Sequence, residues 1–240
     1  MSDFYVALPG ETAPPVPPGA KLCNGDDMRI LHSAFLFAYP RMAQLVRDAP
    51  PGDTARAALV AEWLGDIDNT LHIHHTDEEE LLFDQLAERA PACALHVGQM
   101  KAHHAQVHAL LEEIVPLRTE WEQTADPEVG AKLADAYDRM LAVLKVHLRR
   151  EVVEIVPVAE KVITEKEWSM MAERGTKAVP RNRLMPQLGM LLSSSSPEDR
   201  QKFFKAIPAP VRLMYRAYGR RQYEAQFRLL WPGEAVPETV

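Results

Sequence analysis

Between His72 and Phe83 the chain reads His72-Ile73-His74-His75-Thr76-Asp77-Glu78-Glu79-Glu80-Leu81-Leu82-Phe83, a run of imidazoles and carboxylates denser than any other in the sequence. These side chains ligate borderline and hard cations. On a helix, residues four apart share a face, so His74 and Glu78 can reach one point, and His75 and Glu79 form a second pair rotated by about 100°. Stepping from Val60 through Ile67 and Leu71 at about 3.6 residues per turn lands on His74 and Glu78. That pair is expected to face the interior, with His75 and Glu79 on the flank.

A second copy of the pattern follows. His147-Leu148-Arg149-Arg150-Glu151 repeats the spacing of a His, three residues and a Glu, and Ile155-Val156 stands where Leu82-Phe83 stands in the first copy. Two helices that each bring an imidazole and a carboxylate inward suit a pair of divalent or trivalent ions, with carboxylates bridging and imidazoles capping. A single zinc would not need both carboxylates.

The elements that must position these groups read as helices. With 11 Gly in 240 residues and no sustained alternating pattern, the chain is expected to be all-α. Residues 1 to 25, rich in Pro14, Pro15, Pro17 and Pro18, read as an extended arm. A first helix opens near Asp26 or Asp27 and carries His32 on its apolar stripe, with Tyr39 on the same face. A second spans Thr54 to Glu88 after the Pro50-Pro51-Gly52-Asp53 turn. In a third, opened by Pro91, the apolar positions Met100, Val107, Leu111 and Ile114 place His104 and His108 on the buried side and His103 on the flank. Asp126-Pro127-Glu128 starts a fourth, which runs through His147 and is kinked or ended by Pro157. Beyond it, Thr164 to Glu167 reads as a capping box, Gly175 to Pro186 as a loop, Ser193 to Ser196 as a linker, and Val211 to Leu230 as a last, Arg-rich helix. Its apolar side is expected on the bundle and its Arg side in water.

Four helices thus offer, in chain order, His32, then His74 with Glu78, then His104 with His108, then His147 with Glu151. In spacing and order this resembles hemerythrin and the wider hemerythrin-like, or HHE cation-binding, domains over roughly residues 26 to 163. The resemblance implies an up-down four-helix bundle with additional C-terminal helices in 164 to 240. It also implies a non-heme centre of two iron ions, oxo- or hydroxo-bridged. His104, His108 and His147 would hold one iron, His32 and His74 the other, and Glu78 and Glu151 would bridge them. Oxygen-carrying hemerythrins close the last helix with an Asp five residues after the His, whereas Glu151 stands at four. Oxygen storage therefore does not follow, and the resemblance implies only a small oxidant partner: dioxygen, hydrogen peroxide or nitric oxide. An iron, oxygen or redox sensor signalling through residues 164 to 240 is the alternative.

Composition narrows the remaining classes. A formal charge of −7 argues against nucleic acid as the main partner. No stretch approaches the about 20 apolar residues of a membrane span, and Met1-Ser2-Asp3-Phe4 does not read as a secretory signal. Cys23 and Cys93 are too few for a disulfide framework, which suits a reducing compartment, so the cytoplasm is the expected location.

Overall fold

The computed structural model describes residues 12–240, and the start of the expected N-terminal arm lies outside them. Residues 12 to 24 form neither helix nor strand. Four long helices follow: α1 (Asp26–Arg47), α2 (Thr54–Glu78), α4 (Ala94–Thr124) and α5 (Pro127–Arg150). A short α3 (Asp84–Arg89) continues α2 after a π-helical turn at Glu79–Phe83, and α6 (Val156–Val162) continues α5 after a second one at Glu151–Ile155. Among the described residues there is no strand, and no helix is long and apolar enough to cross a membrane.

The bundle is written in alternating steps of three and four residues. In α1 the buried series is Met28, His32, Phe35, Tyr39, Met42 and Val46; in α5 it is Leu133, Tyr137, Met140, Leu144, His147 and Glu151. Such spacing keeps one seam of each helix facing its neighbours at the shallow crossing angles of a bundle. Helix starts are fixed locally. The Asp53 carboxylate accepts from the Arg56 N–H, and the Asp126 carboxylate from the N–H groups of Glu128 and Val129.

One polar cluster draws on all four helices. The Tyr39 hydroxyl from α1 donates to Asp68 of α2 at 3.1 Å, Tyr137 from α5 donates to the same carboxylate at 2.8 Å, and Arg118 of α4 pairs with it. Burial pushes the Asp68 carboxyl up to about 6, although Arg118 and both hydroxyls pull it down, so it is ionised at neutral pH. Because each partner has one place to bond, the cluster fixes how the helices sit along the bundle axis.

Beyond the bundle come α7 (Glu165–Ala178), α8 (Leu184–Ser194), α9 (Pro197–Ala206), α10 (Ala209–Met214) and α11 (Arg220–Leu230), the last two joined by a third π-helical turn, Tyr215–Gly219. The Thr164–Glu167 capping box opens α7. The expected loop from Gly175 shrinks to residues 179–183, since α7 runs on to Ala178. Pro157 does not end the fourth helix: the wide turn before it absorbs the break, with the Val156 N–H reaching the Glu151 carbonyl. Met190 of α8 and Tyr223, Phe227 and Leu230 of α11 join the bundle core, and Trp231 packs edge-on against Trp63 and Phe37.

Removing the Asp68 carboxylate leaves Arg118 and two buried hydroxyls without their acceptor. Asp68→Ala is expected to lower unfolding stability by about 3–5 kcal/mol, read by urea titration. A loss under about 1 kcal/mol would show that the cluster does not hold the bundle together.

Candidate metal centre

Two groups of side chains converge in the bundle interior. His75, Glu78, His104 and His147 form one, and His32, His74, Glu78 and Glu151 the other; in each, the ligand atoms lie within 4.8 Å of one another and every residue is buried to its functional atoms. Glu78 belongs to both. The His32 and His74 Nε2 atoms are 3.1 Å apart, His74 Nε2 is 3.1 Å from Glu78 Oε1, and His104 Nε2 is 3.4 Å from Glu78 Oε2. Glu151 Oε2 stands 3.3 Å from His32 Nε2 and 3.8 Å from His147 Nε2, which puts it within reach of both groups.

The outer hydrogen bonds decide which ring nitrogen carries a lone pair. His32 Nδ1 lies 3.2 Å from the Leu148 carbonyl oxygen, and His104 Nδ1 lies 2.9 Å from Glu79 Oε1. Both partners are acceptors, so each Nδ1 carries the hydrogen and each Nε2 presents a lone pair inward. Those lone pairs face carboxylate oxygens. Protons cannot relieve the conflict throughout, because burial opposes charging the rings. It holds His74 down at about 3, further lowered by His32, and keeps His75 and His147 well below the usual imidazole range. Burial, reinforced by Glu151 beside it, pushes the Glu78 carboxyl up. For Glu151 burial works in the same sense, but the surrounding imidazoles of His147, His32 and His74 outweigh it and draw the carboxyl down.

Nine buried donor atoms of this set have no hydrogen-bond partner: both nitrogens of His75 and of His147, His104 Nε2, and both oxygens of Glu78 and of Glu151. At about 1–3 kcal/mol for each unpaired group, leaving them bare would cost as much as the whole stability of a typical fold, about 5–15 kcal/mol. Cations between the two carboxylates remove that cost. Five neutral imidazoles and two carboxylates are a donor set for iron and its first-row neighbours rather than for calcium or magnesium.

Local structure explains who enters. In α2 the inward series Val60, Leu64, Ile67 and Leu71 can continue by three residues to His74 or by four to His75 before both routes meet at Glu78. The two imidazoles straddle the seam and both point in, so the expectation that His75 stays on the flank is overturned. Glu79 does stay at the rim, 40% exposed, and orients His104. In α4 the series Met100, His104, Val107, Leu111 and Ile114 skips residue 108. His108 is therefore only half-buried and enters neither group; its ring stands edge-on to that of the exposed His72, 5.2 Å between centroids. The three–four alternation was visible in the sequence and would have separated His104 from His108. His103 is half-buried with its ring edge-on to His147, 5.8 Å between centroids. Each candidate Glu sits where a π-helical turn begins, a widening that recurs at functional sites.

Comparison with known families matches residues 26–159 to the Hemerythrin HHE cation binding domain. The chain belongs to that family. Neither the curated proteins nor the solved structures yield a match. In this HHE chain the family's residues end within α6, so α7 to α11 lie beyond them.

Metal content of single variants tests the ligand set. His75→Ala and Glu78→Ala are expected to lose bound metal, whereas His108→Ala and Glu79→Ala retain the stoichiometry of the parent. Loss on His108→Ala with retention on His75→Ala would reverse the assignment of those two residues.

Proposed function

We propose that this HHE protein holds a carboxylate-bridged pair of iron ions and uses it to bind or react with a small oxidant, namely dioxygen, hydrogen peroxide or nitric oxide. The observation that carries the reading is the shared carboxylate: Glu78 stands in both donor groups, with Glu151 in reach of both. His75, His104 and His147 would hold one ion, and His32 and His74 the other. When bound, the ions would supply Lewis acidity and one-electron redox chemistry.

The chain's own residues set the conditions for that chemistry. Phe35 lies 5.6 Å from the His74 ring and Phe83 5.2 Å from the His104 ring, centroid to centroid, and both phenyl groups are buried, so the walls are apolar and exclude bulk water. Leu148 and Glu79 hold His32 and His104 with their lone pairs inward. His74 is the one candidate ligand whose side chain retains exposure, at 9%, and it belongs to the group with two imidazoles rather than three. The side with fewer protein donors is thus also the side that solvent approaches. A diatomic or peroxide can enter there, while a larger substrate meets the packed helices. Only two carboxylates accompany five imidazoles, so the donor set carries little negative charge. That favours ligand binding or peroxide turnover over oxidative attack on carbon.

A second reading, signalling through α7 to α11, is favoured by one contact. Arg174 of α7 pairs with Asp77 at 2.9 Å and with Glu80 at 2.7 Å, on either side of Glu78. A change at Glu78 that rotates its turn would reach α7 directly. Limited proteolysis within residues 164 to 240 should then differ between metal-free, reduced and oxidised protein, and identical patterns would rule signalling out.

For the main reading, reduced iron-loaded protein is mixed rapidly with dioxygen or nitric oxide, and the oxidised form with peroxide. A stable oxygenated absorption band marks a carrier, gas evolution from peroxide marks a catalase-like enzyme, and a spectrum unmoved by all three oxidants would remove the proposal.

A further inference from the structure

The helices beyond the HHE match form a cavity of about 600 Å³, half open to solvent, between α9, α10, the π-helical turn after α10, and residues 238–240. A volume of this size accommodates a small organic ligand. Its charge is the opposite of the protein's. The chain as a whole carries −7, yet the side chains lining the cavity include Arg200, Lys205, Arg212 and Arg216 against one acidic side chain, Glu238.

The three guanidinium groups are held in place and largely uncompensated. The Arg200 side chain is 11% exposed; its guanidinium donates to the Leu192 carbonyl at 2.9 Å and lies 3.2 Å from Glu238. Arg212 donates to the Lys205 carbonyl at 3.1 Å, and Arg216 stands over the buried Phe204 ring, 5.2 Å from its centroid. Among the described residues, Lys205, Arg212 and Arg216 have no carboxylate within salt-bridge distance, and Arg200 has only that of Glu238, itself 87% exposed. Thr239, buried on the same wall, brings a hydroxyl that makes no hydrogen bond of good geometry. Guanidinium forks converging on one space match the oxygens of phosphate and carboxylate groups.

We propose that this cavity is a binding site for a small polyanion of the polyphosphate or polycarboxylate class, with Arg200, Arg212 and Arg216 as its anchors and Glu238 as a weak internal competitor for Arg200. The site is independent of the metal centre, so its failure or success leaves the oxidant reading untouched.

Calorimetric titration of the full chain with inorganic triphosphate, and separately with citrate, tests the proposal and distinguishes the two sources of negative charge. Saturable binding of at least one, weakening as salt is added, is expected. Arg212→Gln/Arg216→Gln should raise Kd at least about tenfold, while Glu238→Gln, by releasing Arg200, should lower it. The control is Arg221→Gln/Arg228→Gln, which removes the same charge from α11 outside this cavity, and it should leave Kd within about twofold. Two results would each overturn the site: no saturable binding of either probe below about 1 mM, or an equal loss in the two double variants, which would reduce the effect to general attraction by a basic surface.

Discussion

Two carboxylates, Glu78 and Glu151, are buried in the middle of a helical bundle with the lone pairs of imidazoles aimed at them. This is the constraint on which the rest of the structure depends. A fold can tolerate a buried carboxylate when a cationic side chain meets it, as Arg118 meets Asp68 farther along the same bundle. No Arg or Lys meets Glu78 or Glu151 among their described ion-pair partners, which are all imidazoles, and burial disfavours a charge on those of His74, His104 and His147. The two clusters make an instructive contrast. Asp68 is satisfied by the protein itself and serves to align four helices, whereas Glu78 and Glu151 stand in two groups of buried donors that could each hold a cation.

Much of this was legible in the chain, because the chemistry and the packing use the same periodicity. The steps of three and four that bury Phe35, Leu64, Val107 and Leu144 also carry His32, Glu78, His104 and His147 inward, so the helices and most of the cluster follow from one pattern. Where that pattern offered two routes it could not choose: from Leu71 to Glu78, a step of three or of four is equally good, and the structure uses both His74 and His75. His108 was misplaced for a different reason. Four residues make slightly more than a turn, so two steps of four in succession, from Met100 to His104 and on to His108, drift off the seam, and the buried series instead steps by three to Val107.

Other features had no sequence signal to read. The π-helical turns at Glu79–Phe83 and Glu151–Ile155 have no residue signature of their own, and only Pro157 hinted at one of them. The cluster of Asp68 with Tyr39, Tyr137 and Arg118 joins residues far apart in the chain, each unremarkable alone. The same holds for Arg174, whose partners flank Glu78. The apolar face of α11 was expected on the bundle, and Tyr223, Phe227 and Leu230 lie there. The expectation for its Arg-rich face said nothing of the half-open basic cavity, which forms only once α9 and α10 fold back beside residues 238–240.

The central claim is that two ions share Glu78 and Glu151 between imidazoles from all four helices. Anomalous diffraction at the iron edge, from crystals of the iron-loaded protein, tests it most directly. The account predicts two peaks about 3.5–4 Å apart between those carboxylates, one beside His75, His104 and His147 and the other beside His32 and His74. A single peak, or a pair in which His108 is a ligand and His75 is not, would contradict it.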